Sequence, residues 1–163
     1  MRAIQRCLSA VIVLLAASVS GAGTEDACSL LSPAEVTAAF GAKVPLKGGS
    51  MGTVKVCSGN TPTATILIRL AKSKGKASAG AAAAGIQMMK DLGAQVEVKT
   101  FGPITCSTIT PPKNMEQYGF NTTCSVVKGG FVGAIEVTAK AKKDQLPIEK
   151  LRPLAEKMSA RMP

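Results

Sequence analysis

The chain has 163 residues and carries 20 Lys and Arg against 10 Asp and Glu, a net charge of +10, with no His and no Trp. Its length is that of one ordinary domain. The absence of His excludes catalysis by a Ser-His-Asp triad or a Cys-His pair, and it excludes His-ligated zinc or haem. The aromatic side chains are four Phe and one Tyr. These are too few for the base-stacking platforms of single-strand nucleic-acid-binding proteins, so a nucleic-acid partner is not expected.

Residues 1–22 have the pattern of a secretory signal peptide. Two arginines precede a short apolar run (CLSAVIVLLAA), and small residues, Ser20 and Ala22, occupy the −3 and −1 positions of a cleavage site before Gly23. The apolar run is short for a membrane span, although an uncleaved N-terminal anchor is the alternative. Cleavage would lower the net charge from +10 to +8 and leave a single domain, residues 23–163, without a transmembrane span. We expect this domain to be periplasmic or secreted.

Near its start, the mature chain has several residues that favour the beginning of a helix. Ser32 can cap the helix, Pro33 suits its first position, and Glu35 completes a capping box. Gly41 is a typical residue at a helix C-terminus. These residues predict a short helix whose role is structural.

Strands and two further helices fill the rest of the chain. Strand-like patterns cover residues 53–57, 63–71, 95–101, 104–109, 118–127 and 131–139. An Ala-rich helix is predicted over 78–92, with Ile86, Met89 and Leu92 as its apolar stripe. A last helix is predicted over 147–162, where Pro153 must lie in the first turn or kink the helix. This order predicts an α+β fold, with one largely antiparallel sheet and helices covering one face.

Four cysteines follow the signal segment: Cys28, Cys57, Cys106 and Cys124. An even number in an exported chain predicts two disulfides. A metal site is not expected, because the chain has no C-x-x-C pair and the spacings fit no zinc knuckle or ribbon. Three pairings are possible. The order of elements favours the two local ones, Cys28–Cys57 and Cys106–Cys124, with a structural role.

The segment from Ala27 to Gly41 (ACSLLSPAEVTAAFG), followed by Cys57, resembles the start of small exported bacterial domains of unknown function. Several of these are secreted or lipid-anchored proteins that open C-x-L-L-[ST]-x-x-E-V. The resemblance implies an α+β extracytoplasmic domain and a Cys28–Cys57 bridge, and it carries over no catalytic residue. This chain departs from many of those domains because it lacks a lipid-anchor cysteine.

Two lysine clusters are the candidate binding residues. They are Lys72, Lys74 and Lys76, and Lys140, Lys142 and Lys143. The first cluster lies between a predicted strand and the start of a helix, where backbone N–H groups and the helix dipole favour an anion. It is not a P-loop, because the sequence does not satisfy G-x-x-x-x-G-K-[ST]. The alternative for both clusters is a solvated charged segment.

Two weaker patterns point to a hydrolase. The spacing S-x-x-K occurs at Ser73–Lys76 and at Ser125–Lys128, and in penicillin-binding enzymes it places a lysine one helical turn from a nucleophilic serine. Here one match falls in a Gly-broken loop and the other in a strand, so we expect neither geometry to form. Glu97 and Glu136 lie on different predicted strands and could approach as a carboxylate pair.

The sequence therefore favours an exported, non-enzymatic binding domain without cofactor or metal. We expect it to dock an anionic component of the cell envelope, or an acidic protein, through its lysine-rich loops. The alternatives are a small hydrolase built on carboxylates or a Ser/Lys pair, and an inhibitor of an envelope enzyme. An inhibitor of a cationic lysozyme would be expected to carry an acidic surface, which is the opposite of this composition.

Overall fold

The computed structural model describes residues 26–73 and 76–163, with the side chains of residues 76–82 excepted. The predicted signal segment and Lys74 lie outside the described residues. The helices are α1 (Pro33–Phe40), α2 (Lys76–Asp91) and α3 (Ile148–Arg161). The strands are β1 (Leu46–Met51), β2 (Val54–Asn60), β3 (Ala64–Lys72), β4 (Gln95–Phe101), β5 (Ile104–Thr110), β6 (Phe120–Lys128) and β7 (Phe131–Ala139). Short 3-10 segments cover Ala27–Ser29, Lys113–Tyr118 and Lys142–Asp144.

The strands form one antiparallel sheet in the order β1-β2-β3-β7-β6-β5-β4. The first three strands follow one another across one side of the sheet. Helix α2 then connects β3 to β4 at the far edge, and the chain returns strand by strand until β7 pairs with β3 at the centre. The result is a mixed fold with three helices among the described residues, in which the sheet predominates.

The core lies on one face of the sheet. Alternate residues of the central strands, among them Ile66 and Ile68 of β3 and Ile135 of β7, are fully buried there. Helix α3 covers this face by contacting β5, β6 and β7, and it buries Leu151 and Met158. Helix α1 packs against α3, while the 3-10 turn near the N-terminus contacts β1, β2 and β3.

Helix α2 is less buried than the apolar stripe predicted from its sequence implies. Ile86 and Met89 are half-buried, but Leu92, just beyond the helix, is 50% exposed and Met88 is 59% exposed. The helix contacts the edge strand β4, which follows it in the chain. Leu92 is therefore not part of a buried apolar face.

The start of α1 is built as the sequence predicts. The Ser32 hydroxyl accepts a hydrogen bond from the Glu35 backbone N–H at 3.3 Å, and the Ser32 N–H donates to the Glu35 carboxylate at 2.9 Å. Gly41 ends the helix with φ of 66°, in the left-handed region that favours glycine. The capping box and the glycine stop are both confirmed.

The strand predictions need correction at two places. Strand β1 was not predicted, because Gly48 and Gly49 interrupt any apolar alternation. The sixth strand begins at Phe120 rather than at residue 118, since a 3-10 segment occupies the preceding residues. Pro153 lies in the second turn of α3, so the Glu149 carbonyl receives no N–H from that position.

Both disulfides have the local pairing expected from the chain order. Cys28–Cys57 ties the N-terminal 3-10 turn to the middle of β2, with a Cα–Cα distance of 5.0 Å. Cys106–Cys124 joins directly opposed residues of β5 and β6, with a Cα–Cα distance of 4.0 Å. None of the helices within the described ranges is both long and apolar enough to cross a membrane.

Candidate functional site

Lys72 lies where the buried face of β3 ends. Along this strand Ile68 and Leu70 point into the core, and Lys72, two residues further on, shares their face but is exposed. The alternation that builds the core therefore places the lysine at the rim of the same face. Ser73 follows it and donates its backbone N–H to the Gly130 carbonyl at 2.7 Å, which fixes the chain at the turn between β6 and β7.

A cleft of about 420 Å³ opens at this rim. The described residues that line it are Thr53, Lys55, Leu70, Ala71, Lys72, Ser73 and Phe131. This volume is within the roughly 300–1,000 Å³ of typical ligand pockets. The cleft combines a buried apolar floor at Leu70 with polar and cationic walls.

The strand register brings two lysines together in the cleft. Lys55 of β2 is directly opposite Leu70, and Lys72 lies two residues beyond Leu70 on β3, so the two lysines are diagonal cross-strand neighbours. Such neighbours have Cα atoms about 7–8 Å apart, close enough for long side chains to meet. The Lys55 ammonium donates to the Ser50 hydroxyl at 3.5 Å. The register therefore places the backbones of the two lysines close together at the cleft.

The described residues that line the cleft include no Asp or Glu. Nearby Glu136 lies on the opposite face of the sheet, because it is directly across from Leu67, the residue between Ile66 and Ile68 on β3. There it accepts hydrogen bonds from Arg69 and, at 2.9 Å, from Asn121. The described lining therefore contributes two cations to the cleft and no carboxylate.

The cleft lies between two segments that cover the core. On one side, Cys57 follows Lys55 on the same face of β2 and is bonded to the N-terminal turn through Cys28. On the other side, Gly133 of β7 is directly opposite Leu70, and a Cβ at Gly133 would lie 2.6 Å from the Met162 sulfur. The chain after α3 thus packs over β7 at Gly133.

The second lysine cluster belongs to the other end of the sheet. Lys140 follows Ala139, whose partner on β3 is Ala64 at the strand's start, whereas Lys72 ends the same strand. At about 3.3 Å per residue, the two ends of β3 are about 26 Å apart. Lys140 donates to the Pro62 carbonyl at 2.8 Å, and Lys142 and Lys143 are exposed in a 3-10 segment. Lys72 and the second cluster therefore do not form one site.

The Ser125–Lys128 match does not form the Ser/Lys pair of a hydrolase. Ser125 and Lys128 both lie in β6 but point to opposite faces, and the Lys128 ammonium donates to the carbonyls of Ser159 and Met162 at 3.0 and 2.9 Å. The Ser73–Lys76 match has its serine in the connection after β3, and its lysine side chain lies outside the described residues.

Glu97 and Glu136 do not approach as a carboxylate pair. Glu97 lies on β4 and Glu136 on β7, with β5 and β6 between them, so about 14 Å of sheet separates their strands. The two side chains also point to opposite faces. Glu97 pairs with Lys99 at 2.9 Å, and Lys99 also bonds Glu149 at 2.9 Å. Hydrogen bonds to Glu149 and then Glu97 raise the pKa of Lys99, as in a structural ion pair at the sheet edge.

Lys55 is the site residue that sequence reasoning missed. In the sequence it has the position of an outward-facing residue of a short strand, and only the β2–β3 register places it beside Leu70 and Lys72.

In the part of the chain that the structure describes, no group of three or more Cys, Asp or Glu could hold a metal ion. Comparison with protein-family models, with curated proteins and with solved structures finds no match to this chain. The function is therefore argued from the geometry of the cleft.

Proposed function

We propose that this chain is an exported, single-domain α+β binding module without catalytic activity, and that it docks an anionic component of the cell envelope in the cleft beside Lys72. The observation that carries the proposal is the diagonal pairing of Lys55 and Lys72 across a concave surface whose described lining holds no carboxylate. Lys74 and Lys76, which follow in the sequence, remain predicted binding residues.

Two features support export. Residues 1–22 have the pattern of a cleavable signal peptide. Paired cysteines are typical of oxidising compartments such as the periplasm or the exterior, and Cys28–Cys57 and Cys106–Cys124 are both paired. The intact mass of protein recovered from the exported fraction should correspond to a chain that begins at Gly23. A full-length, membrane-bound product would contradict export by cleavage.

The binding proposal is tested with two double variants of equal charge. One carries Lys55→Gln and Lys72→Gln, and the control carries Lys43→Gln and Lys113→Gln, which change exposed lysines outside the cleft. Retention of both is compared with the parent protein on an anionic matrix at matched salt. We expect the cleft variant to elute at clearly lower salt than the control, because its two charges converge on one anionic group.

Thermal unfolding of both variants should stay close to that of the parent, since exposed substitutions usually change stability by within about 0.5 kcal/mol. Retention should also fall as salt shortens the Debye length from about 10 Å at 0.1 M to about 3 Å at 1 M. Equal loss of retention in the two variants would mean that the chain carries only a diffuse positive surface, and the cleft would not be the binding site.

A further inference from the structure

Strand β4 forms one edge of the sheet, so one side of its backbone has no neighbouring strand. We propose that two copies of this chain associate through β4, in an antiparallel pairing centred on Val98 that continues the sheet from one copy into the next. The arrangement that carries the inference is the position of Glu97 and Lys99 on either side of Val98 in an exposed edge strand. The inference does not depend on the cleft beside Lys72.

The edge at β4 is regular and accessible. All seven residues of the strand pair with β5 in an unbroken register, and the strand contains neither a bulge nor a proline that would protect its edge. Val98 is 43% exposed, and the side chains of Glu97 and Lys99 are 56% and 41% exposed. Helix α2 contacts β4 but leaves these side chains accessible. An edge of this kind is a template for another strand.

The turn after β4 determines which of its backbone groups face outward. Two residues join β4 to β5, so Phe101 is directly opposite Ile104. The residues that flank a two-residue hairpin turn exchange hydrogen bonds, and bonded and non-bonded pairs then alternate along the ladder. The alternate residues direct their N–H and C=O groups away from β5: Val96, Val98 and Thr100. No turn or loop in the described part of the chain bonds these groups, so they can pair with a second strand.

The charges of β4 select one register. The strand has seven residues with Val98 in the middle, so antiparallel pairing about Val98 matches the whole strand in both copies. Glu97 of each copy is then directly opposite Lys99 of the other, and two-fold symmetry makes this pair twice. Pairing centred on Glu97 would oppose two carboxylates, and pairing centred on Lys99 would oppose two ammonium groups. Like charges directly opposite each other are destabilising, so both of these registers are disfavoured.

The ion pairs within each chain are compatible with this register. Lys99 bonds Glu97 and Glu149 at 2.9 Å each. These two contacts use two of the three N–H donors of the ammonium group, and a carboxylate accepts several hydrogen bonds. The Glu97 carboxylate can therefore be shared between the lysine of its own chain and that of the second copy. Association breaks neither of the existing ion pairs.

The composition of this edge favours a second copy as the partner. The chain has a net charge of +10, but the charged residues of β4 are one Glu and one Lys, so the strand itself is neutral. Two basic molecules can approach here with less repulsion than at their lysine-rich surfaces. On the opposite face of the strand, the β-branched side chains of Val96, Val98 and Thr100 would form cross-strand pairs with their counterparts. Both faces of β4 are thus self-complementary.

The test uses charge reversals at the two paired positions. Sedimentation velocity of the disulfide-bonded chain is compared with that of Glu97→Lys and Lys99→Glu across a concentration series. The parent should form dimers as its concentration rises. Each variant alone opposes like charges twice, so its dimer should be at least about tenfold weaker. An equimolar mixture of the two variants restores opposite charges at both positions and should recover association as a heterodimer. Circular dichroism checks that both variants keep the fold.

Lys43→Glu is the matched control. Lys43 is exposed in the segment before β1, which forms the other edge of the sheet. This variant should dimerise at least as strongly as the parent, and mixing it with Glu97→Lys should not restore association. Hydrogen exchange resolved by residue locates the contact, because the outward amides of β4 should become protected as the parent concentration rises. The amides of β1 should not.

Each contrary outcome overturns a stated part of the proposal. A parent that stays monomeric at every concentration contradicts association, and Lys99 would then serve to keep the edge from pairing. A dimer that persists in both reversed variants, or that protects the amides of β1, has its interface elsewhere. Weakening by both variants without recovery in their mixture would show that Glu97 does not face the second copy's Lys99. The cleft proposal is unaffected by any of these results.

Discussion

The Arg161 guanidinium forms a two-pronged ion pair with the Glu35 carboxylate, with distances of 2.6 Å from Nη1 to Oε2 and 2.9 Å from Nη2 to Oε1. The pair joins the first turn of α1 to the last residue of α3, which are at opposite ends of the described fold in sequence. Arg161 also donates to the Leu30 carbonyl at 3.1 Å, and Lys157 lies 3.4 Å from Glu35. The N-terminal segment is thereby held to the C-terminal helix.

Replacing this carboxylate should reveal a pH-dependent contribution to stability. The Arg161 hydrogen bond, followed by the Ser32 backbone N–H, holds the pKa of Glu35 well below its usual range. A carboxyl whose pKa is lowered by folding contributes stability above its unfolded pKa of 4.5, and this contribution is lost as pH falls through the folded value. Glu35→Gln should therefore lower the unfolding free energy at pH 7 by about 1–2 kcal/mol.

The measurement is urea unfolding of the parent and Glu35→Gln at several pH values. Because other carboxylates titrate in both proteins, the difference between the two is the quantity that reports on Glu35. It should shrink between about pH 5 and pH 2. A difference that stays constant across this window would show that Glu35 acts through packing alone.

Removing a disulfide should cost more than removing this ion pair. On the chain-entropy model, the Cys106–Cys124 and Cys28–Cys57 bridges each stabilise the fold by about 3 kcal/mol, since the residues they join are 18 and 29 apart in sequence. Replacing both cysteines of one bridge by alanine should lower the unfolding free energy by about that amount. Denaturant unfolding of each double variant measures it, and a loss below about 1 kcal/mol would contradict a stabilising role for that bridge.

Two glycine substitutions should have opposite effects. A Cβ at Gly59 would lie 2.5 Å from Val44 Cγ1 and 3.1 Å from the Pro45 carbonyl, so Gly59→Ala should destabilise the fold by about 1–3 kcal/mol through overpacking. A Cβ at Gly85, inside α2, would meet no described atom beyond its own helix within 4 Å. Gly85→Ala should stabilise by about 0.5–1 kcal/mol because alanine favours a helix.

Thermal unfolding monitored by circular dichroism compares the two glycine variants with the parent protein. The melting temperature should fall for Gly59→Ala and rise for Gly85→Ala. A higher melting temperature for both variants would mean that the loop carrying Val44 can shift to make room for the added methyl group. Close packing at Gly59 would then not be required.

A buried hydroxyl gives a further prediction. Thr122 is fully buried and donates to the Leu146 carbonyl at 2.6 Å, linking β6 to the segment before α3. Thr122→Val keeps the shape but leaves this carbonyl without its donor, so it should cost about 1–3 kcal/mol. Thr105→Val, at an exposed position of β5, is the matched control and should change stability by less than about 0.5 kcal/mol. Equal losses of stability in the two variants would show that the Thr122 hydrogen bond is not the cause of the effect.

The sequence was sufficient where local signals decide the structure. The strands Gln95–Phe101 and Phe131–Ala139 have the predicted bounds, because a glycine turn ends the alternation in the first and starts it in the second. Strand β1 was missed because its residues carry no such alternation. Its Gly48 lies beside the N-terminal turn, where a Cβ would make an ordinary van der Waals contact of 3.5 Å with the Cys28 sulfur. That contact exists only after the N-terminal turn has packed on the sheet.

The residues of the candidate site likewise differ in whether the sequence alone could predict them. Lys72 could be found from the sequence because the lysines that follow it form a conspicuous run between a strand and a helix. Lys55 could not, since its closeness to Lys72 depends on how β2 pairs with β3, and Phe131 comes from a strand that is distant in sequence. Local sequence patterns were therefore enough to predict Lys72, whereas Lys55 and Phe131 become cleft residues only through pairing between strands.

The ladder between β3 and β7 joins two parts of the chain that are synthesised well apart. Strands β1 to β3 pair with their neighbours in sequence, and so do β4 to β7. Lys72 pairs with Phe131 only after the intervening chain has folded back so that β7 lies beside β3. The entropy of closing that long loop must be overcome before its contacts contribute. The two groups of strands can therefore form early as separate units, and the joining of β3 to β7 should set the folding rate. This chain should fold slowly compared with helical proteins of similar length.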